Sequence, residues 1–154
     1  MREQGLLFSY LLSESRINGI KRLHRFKRMQ GELKYKDITE KIIGASFQVH
    51  KFLGNGFQEV IYQRALAWEL SKAGLTFERE IEQDIFYKEL AEPIGTRRAD
   101  FVVEGKILVE LKAIILLEVV HLAQILNYLK AYKLEVGLLI NFGSKSLTFK
   151  RLVL

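Results

Sequence analysis

The sequence contains no cysteine, one proline and eleven glycines in 154 residues. Without cysteine there is no disulfide, no thiolate zinc site and no cysteine nucleophile, and a reducing, cytoplasmic compartment is the expected setting. A bound metal would be held by carboxylates, carbonyl oxygens or the three histidines, and such ligands favour Mg²⁺, Mn²⁺ or Ca²⁺. The low proline and glycine content argues against a linker-rich or disordered chain.

Long uninterrupted apolar runs are absent as well. The longest candidate, residues 107–129, is broken by four polar side chains between Glu110 and His121, whereas a membrane span needs about 18 or more apolar residues. The apolar run at residues 5–12 is short and lacks a strong basic flank, so no secretory signal is expected.

Positive charge is concentrated at one end of the chain. The net charge is +6, and residues 1–36 contain nine Lys and Arg against three acids, so residues 37–154 are neutral overall. Two interpretations stay open for the cluster at residues 21–28: contact with phosphates, or a solvated tail, including an over-extended start. We predict a basic N-terminal arm, residues 1–36, and one domain, residues 37–154.

The spacing of apolar residues predicts the order α, α, β, β, β, β, α, β. A capping box of Asp37 and Glu40 would begin the first helix, which ends at Gly54, and Gly74 follows the second helix, residues 57–73. The remaining predicted elements are strands at 76–81, 85–88, 97–103 and 107–113, a helix at 118–133 and a strand at 136–141. Whether a last strand follows at 147–154 stays open. This order predicts an α/β (α+β) fold.

The hairpin within residues 97–113 can be aligned by its own side chains, because a shift of one residue exchanges the two faces of a strand. A three-residue loop, Glu104-Gly105-Lys106, with Gly105 at the position of positive φ, makes one face wholly apolar. The predicted pairs on that face are Val103 with Ile107, Phe101 with Val109, and Ala99 with Leu111. The predicted pairs on the other face are Val102 with Leu108, Asp100 with Glu110, and Arg98 with Lys112.

The second face brings the carboxylates of Asp100 and Glu110 to about 5 Å from each other, where like charges destabilise a sheet. A divalent cation between them would remove the repulsion, polarise a phosphate and make hydroxide available from water. Lys112 shares this face, where it can orient the water or stabilise charge in the transition state. The pattern therefore predicts a divalent-metal site for phosphodiester chemistry.

Two observations limit that interpretation. The same Glu-x-Lys letters occur at residues 32–34, in the polar arm, without an apolar strand or an upstream aspartate at hairpin distance. A solvated sheet face, on which Arg98 and Lys112 neutralise the two acids, explains the Asp100 and Glu110 pair equally well. Features elsewhere in the chain must decide between the two.

Two predicted helices carry side chains that favour the metal interpretation. His121, Gln124 and Tyr128 share one polar stripe, which would contact a nucleic-acid backbone together with Arg98; the alternative is the polar edge of an amphipathic helix. Glu59, near the start of the second helix, either complements the helix dipole or supplies a third carboxylate at the metal. Together the chain presents, in order, a helix glutamate, a strand aspartate, a strand Glu-x-Lys and a helix Gln-x-x-x-Tyr. This combination arises by chance much less often than any one of these elements alone.

The segment Gly56-Phe57-Gln58-Glu59-Val60-Ile61-Tyr62 resembles the motif that names the GxxExxY proteins, a group within the PD-(D/E)XK nuclease superfamily. The resemblance extends over about residues 38–151. It includes Tyr87, Asp100, Val109-Glu110-Leu111-Lys112, Gln124 and Asn127-Tyr128-Leu129. It implies a restriction-endonuclease-like αβββαβ core, with a central mixed sheet flanked by helices.

The resemblance also implies roles for individual residues. Asp100, Glu110 and the backbone carbonyl of Leu111 would bind Mg²⁺ or Mn²⁺, Glu59 would assist at the metal, and Lys112 would serve the water. Gln124 and Tyr128 would form the Gln-x-x-x-Tyr element of RecB-like exonucleases. The implied activity is metal-dependent hydrolysis of nucleic acid, DNA rather than RNA. The alternative is a catalytically silent nucleic-acid-binding or regulatory module with the same fold.

The chain departs from the family pattern at two places. Asn55 stands where the family has proline, a mild change because asparagine also suits turns. Residues 114–117, with Val119 and Val120, are more apolar than the corresponding linker of the family. These residues predict either an apolar contact, such as a homodimer surface, or a local shift of the strand end.

Overall fold

Two helices open the domain in the computed structural model, which describes Lys21 and residues 34–154. Helix α1 spans Lys36–Leu53 and helix α2 spans Glu59–Lys72. Their buried apolar side chains, among them Ile42 and Leu66, recur at the three-to-four-residue spacing of an amphipathic helix. Both helices contribute these side chains to one apolar cluster shared with the sheet.

The start of α1 differs from the prediction. Tyr35, with φ 56°, precedes the helix, and no side chain caps it, so the predicted capping box of Asp37 and Glu40 is wrong. The N-cap lies two residues earlier than expected, which places Asp37 inside the first turn of the helix, where a carboxylate complements the helix dipole. Glu40 instead lies 3.5 Å from the ammonium of Lys36.

Five strands form one mixed sheet in the order β1-β2-β3-β4-β5. The strands are β1 Phe77–Ile85, β2 Gly95–Val103, β3 Ile107–Lys112, β4 Val136–Asn141 and β5 Thr148–Val153. Strands β3 and β4 are parallel, and helix α3, Val119–Tyr132, supplies the crossover that such a pair needs. The other neighbouring strands are antiparallel. The predicted αβββαβ core with a mixed sheet and flanking helices is confirmed.

The sheet separates two apolar clusters. The α1/α2 cluster contains Leu138 and Ile140 of β4, and the α3 cluster contains Leu139 of the same strand together with Ile125 and Leu129 of α3. Successive residues of a strand point to opposite faces, so this alternation places α1 and α2 on one face and α3 on the other. The central strands β3 and β4 are buried along nearly their whole length.

The first two predicted strands, residues 76–81 and 85–88, are one strand, β1, which ends at Ile85. This strand contains an irregularity that the sequence analysis missed. Phe77 packs with the α1/α2 cluster and Ile81 with the α3 cluster, although residues four apart share a face in a regular strand. Glu80, between them, has φ 52°.

Strand β2 changes face at the same level. Ala99 packs with the α3 cluster, whereas Phe101 and Val103 pack with the α1/α2 cluster. The prediction that Ala99 shares their apolar face is therefore wrong. The change of face falls at Asp100, which lies opposite Glu80 between Ala99 and Phe101.

Tyr35–Leu154 forms a compact unit. Apart from Lys21 and residues 34–36, the predicted basic arm lies outside the described residues, as do the first two residues of the second Glu-x-Lys segment. Across Lys21 and residues 34–154, no helix has both the length and the apolar character that crossing a membrane requires.

Candidate active site

Asp100 lies where β2 separates from β3. The ladder between the two strands contains the predicted pairs Val103 with Ile107, Val102 with Leu108, and Phe101 with Val109, and it stops there. The three predicted pairs beyond it, Ala99 with Leu111, Asp100 with Glu110, and Arg98 with Lys112, are therefore wrong. In their place, the Oδ2 atom of Asp100 accepts a hydrogen bond of 2.7 Å from the backbone N–H of Leu111. The carboxylate of Asp100 thus accepts the hydrogen bond of the Leu111 N–H, for which the β2–β3 ladder no longer provides a main-chain acceptor.

The second oxygen of Asp100 is held by Gln63, a residue that the sequence analysis did not select. The amide Nε2 of Gln63 donates to Asp100 Oδ1 over 3.0 Å, and Gln63 Oε1 accepts from Arg79 Nη2 over 2.9 Å. Gln63 is buried on α2 and lies one helical turn after Glu59. This i, i+4 spacing was the available signal.

Burial raises the pKa of Asp100 above its ordinary value. The N–H of Leu111, the amide of Gln63 and the charge of Lys112 oppose that rise, because each stabilises the carboxylate form. Asp100 is thus a partly desolvated carboxyl group with a donor on each oxygen.

Glu110 is the most confined carboxyl group of the site. It lies in β3 between β2 and β4, is only 4% exposed, and its buried Oε1 atom has no hydrogen-bond partner. Burial, followed by the charge of Asp100, raises the pKa of Glu110 to about 9, while Lys112 opposes the rise. A buried carboxylate oxygen without a donor is costly unless a proton or a cation neutralises it.

Glu59 is the first residue of α2 and is partly buried. Burial and, next, the charge of Asp100 raise the pKa of Glu59, and Lys112 lowers it. The charge of Glu59 in turn raises the pKa of Glu110. The charges of Glu59, Asp100, Glu110 and Lys112 therefore affect one another, and the catalytic and metal-binding roles of these four residues stay predictions.

The loop before Glu59 is fixed by Tyr62. The hydroxyl of Tyr62 donates to the carbonyl of Gly54 over 2.8 Å and accepts from the N–H of Phe57 over 3.2 Å. The ring of Tyr62 stacks on Phe142, with 4.7 Å between the ring centroids. The start of α2 is thereby anchored to the chain that follows β4.

No group of three or more Asp, Glu and His side chains is arranged to hold a metal ion in the part of the chain that the structure describes. Asp100 and Glu110 supply carboxylates, and the family resemblance implies a further oxygen ligand, the backbone carbonyl of Leu111. The unpartnered Oε1 of Glu110 is consistent with a cation bound there. All of these ligands are oxygen atoms, and such a set suits Mg²⁺ or Mn²⁺. A role for Glu59 at the metal stays a prediction.

The polar stripe of α3 is partly held together by its own contacts. Gln124 Nε2 donates to the hydroxyl of Tyr128 over 3.4 Å. His121 forms a capping box with Glu118, in which Nδ1 accepts from the N–H of Glu118 over 2.9 Å. His121 therefore has a structural role at the helix start, and the nucleic-acid contacts of the stripe stay predictions.

Arg98 lies apart from the predicted ladder with Lys112. It pairs with Glu82 in the β1–β2 ladder, and its guanidinium lies 4.0 Å from the carboxylate of Glu80. Both of these ion-pair side chains are about half exposed or more, so the pair contributes little to stability. Contact of Arg98 with nucleic acid stays a prediction.

Asn141 and Gly143 hold the chain directly after Lys112. Asn141 is fully buried; its Nδ2 donates to the carbonyl of Ile114 over 2.8 Å and its Oδ1 accepts from the N–H of Ile114 over 3.1 Å. The backbone of Gly143 is so close to Ala113 and Ile114 that there is no space for a Cβ atom. A polar residue ending an apolar strand, followed two residues later by glycine, was the signal that the sequence offered.

A family model of the PD-(D/E)XK nuclease superfamily matches residues 36–152. No curated protein and no solved structure gives a match. The match includes every residue of the candidate site and reaches the level of the superfamily, so membership of the narrower GxxExxY group stays a prediction.

Proposed function

Because the chain belongs to the PD-(D/E)XK nuclease superfamily, we propose that it is a metal-dependent nuclease that hydrolyses phosphodiester bonds in DNA. The observation that carries the proposal is the state of Glu110. Its carboxyl group is buried, one of its oxygens has no hydrogen-bond partner, and a second carboxyl group, Asp100, raises its pKa. A divalent cation bound between these two carboxyl groups would neutralise their charges and remove the cost of burying them.

Asp100, Glu110 and the carbonyl of Leu111 would hold Mg²⁺ or Mn²⁺, which when bound supplies polarisation of the phosphate and a water of lowered pKa. The backbone N–H of Leu111 and the amide of Gln63 orient the Asp100 carboxylate from two sides. The ammonium of Lys112 would stabilise the negative charge that develops on the phosphate oxygens. Glu59, whose pKa is lowered by the charge of Lys112, would help to hold that ammonium in place. Gln124 and Tyr128 would contact the backbone of the substrate from α3.

The alternative function is a nucleic-acid-binding or regulatory module that keeps the fold without catalysis. The complete set of Asp100, Glu110 and Lys112 favours the nuclease, because a binding module has no need of a buried, electrostatically strained glutamate. Association through the apolar residues 114–117, Val119 and Val120, such as a homodimer, belongs with either function.

Addition of Mg²⁺ or Mn²⁺ to the metal-free protein is expected to start the cleavage of DNA, and EDTA is expected to stop it. Duplex DNA, single-stranded DNA and RNA should each be tested, with gel or capillary separation of labelled products. A protein that binds these nucleic acids but cleaves none of them with either metal is the silent module, and the nuclease proposal is then wrong.

Gln63→Leu is expected to weaken the response to metal by about 10- to 100-fold, because it removes the donor that orients a metal-binding carboxylate. The measurement is the Mg²⁺ concentration that gives half of the maximal cleavage rate. Saturating Mg²⁺ should restore most of the rate, which a variant that is merely misfolded would not show. Gln48→Leu, at an exposed position of α1, is the matched control and should leave the metal response as it is in the wild type.

A further inference from the structure

A cleft with a volume of about 690 Å³ adjoins the candidate active site. Phe57, on one wall, stands two residues before Glu59, and Ala113, on another, directly follows Lys112. The cleft therefore adjoins the candidate site along the chain, although none of the side chains of Glu59, Asp100, Glu110 and Lys112 lines it.

The charge of the cleft does not suit a phosphate backbone. Among the described residues, those that line the cleft include no lysine or arginine, and their one acidic side chain is Glu118. The carboxylate of Glu118 accepts a hydrogen bond from the backbone of α3. Backbone contacts to nucleic acid are dominated by cationic side chains, and a carboxylate would repel a phosphate. The occupant that fits is an uncharged part of the substrate.

The walls of the cleft are apolar and open to solvent. Ile115 is 89% exposed and Leu116 is 74% exposed, and Phe57 is about half exposed. Apolar side chains that stand this far out of the surface beside a catalytic site mark a contact surface. Nucleobases stack on aromatic side chains, of which this cleft offers Phe57, and they also pack against aliphatic surface.

Two side chains at the cleft can read the edge of a base. The Nδ1 atom of His121 accepts a hydrogen bond from the N–H of Glu118, so the neutral ring carries its proton on Nε2 and presents a donor. Asn55 donates one N–H to the carbonyl of Gly143 over 3.4 Å, which leaves its carbonyl oxygen as an acceptor. One donor and one acceptor beside apolar walls are the usual composition of a small-molecule pocket.

We propose that this cleft holds an unpaired nucleobase next to the phosphate under attack, and that the substrate is single-stranded or frayed nucleic acid. The proposal rests on the proposed nuclease function. A base enters the cleft only when it has left its pair and its stack, which is least costly for a base that is already single-stranded and more costly in a closed duplex. A protein partner seated in the same cleft would cover the approach to Glu59 and Lys112.

The test compares a short single-stranded oligonucleotide, carrying a fluorescent base analogue, with a duplex of the same sequence whose two ends are closed by loops. Binding is measured with Mg²⁺ present on the Glu110→Gln protein, so that cleavage does not interfere. The double variant Ile115→Ser/Leu116→Ser is compared with Phe52→Ser, a control of the same kind because Phe52 is also 89% exposed but lies on α1, outside this cleft.

The unmodified cleft is expected to favour the single strand and to change the emission of the base analogue. The double variant should lose about tenfold in affinity for the single strand, the equivalent of about 1.4 kcal/mol, with less than twofold change for the closed duplex. Phe52→Ser should behave as the unmodified protein does. Equal losses for both nucleic acids, or no loss for either, would overturn the proposal.

Three further outcomes are informative. One distinguishes a base site from an interface between copies of the chain, and two distinguish failure of the base site from failure of the nuclease function. If the double variant keeps its affinity but turns a dimer into a monomer in sedimentation, the cleft is an interface between copies and the proposal is wrong. If the wild type prefers the single strand but never cleaves it with Mg²⁺ or Mn²⁺, the nuclease function is wrong and the base site stands. If it cleaves but shows no preference, the base site alone is wrong.

Discussion

Glu110→Gln is expected to lower the rate of DNA cleavage by about a thousandfold or more, because the change removes a carboxylate that would hold the metal and keeps the shape of the side chain. The same change is expected to stabilise the metal-free protein. The folded chain buries the carboxylate with one oxygen unpartnered, and a neutral amide avoids the charge that makes this burial costly. Activity and stability therefore move in opposite directions, as expected when a strained group is kept for function.

The stability difference has a definite pH dependence. The pKa of Glu110 is about 9 in the folded protein, against an ordinary value of 4.5. Between these two values the folded state holds a proton that the unfolded state has lost, so wild-type stability falls as pH rises through this window. Glutamine does not titrate. The advantage of Glu110→Gln should therefore be small near pH 4.5 and should grow to about 2 kcal/mol or more by about pH 8.

Thermal or urea unfolding in EDTA at several pH values measures this advantage. Adding Mg²⁺ should reduce it, because a cation bound to the wild type stabilises only the folded state. Glu78→Gln is the control, since Glu78 is an exposed glutamate of β1. Its change should affect neither the rate of DNA cleavage nor the pH dependence of stability. Wild-type cleavage by Glu110→Gln, or a stability difference that is the same at every pH, would contradict the role assigned to Glu110.

The elements that could be predicted best are those with strong local signals. β4 has the predicted bounds, and α3 lies within one residue of its predicted ends. Glu118 and Lys133 mark the two ends of α3, and an unbroken apolar run marks β4. The register of the β2–β3 hairpin near its loop could also be predicted, because Gly105, with φ 61°, occupies the turn as expected.

The prediction of the hairpin failed at Asp100 for a physical reason. Alternation of apolar and polar residues describes a regular strand, whereas β1 and β2 both change face at the level of Glu80 and Asp100. The positive φ of Glu80 is a backbone state that glutamate adopts only when the surrounding structure requires it. No residue type at this position announces the change, so the sequence predicted a carboxylate pair within a ladder that in fact ends one residue earlier.

The acidic and basic residues of the site could be selected from their types and spacing, but the residues that hold them could not. Gln63 matters because α2 faces Asp100, and Asn141 matters because β4 ends beside the chain that leaves β3. Both roles depend on contacts between residues far apart in sequence. Amide side chains are common on protein surfaces, so their types alone carry little information before the fold is known.

Gly143→Ala is expected to destabilise the protein by about 3 kcal/mol, at the upper end of what overpacking costs. An added Cβ atom would overlap the backbone nitrogen of Ile114 and the backbone carbon of Ala113, and would lie 2.5 Å from the carbonyl oxygen of Ile114. These are main-chain atoms, which cannot rotate away. Ile114 must therefore move, and its hydrogen bonds to Asn141 must stretch or break.

Movement of Ile114 should also displace Lys112 and slow the reaction. Lys112 is only two residues away, and its carbonyl accepts a hydrogen bond from the N–H of Phe142. A displacement of about 1 Å in a catalytic group costs about 100-fold in rate. Gly143→Ala should thus lose most of its cleavage activity even at a temperature where it is fully folded. Unfolding curves and cleavage rates of the same preparation measure the two effects.

Two other glycines provide the controls. At Gly137 in β4, an added Cβ would lie 3.0–3.2 Å from the ends of the Ile125 and Leu129 side chains, which can shift, so Gly137→Ala should cost about 1 kcal/mol or less. At Gly44 in α1 nothing lies within 4 Å of the added atom, and Gly44→Ala should stabilise the helix by about 0.5–1 kcal/mol. If Gly143→Ala unfolds together with Gly137→Ala and cleaves DNA as fast, the chain after Lys112 is not held by the main-chain contact at Gly143, and the rate of the reaction does not depend on it.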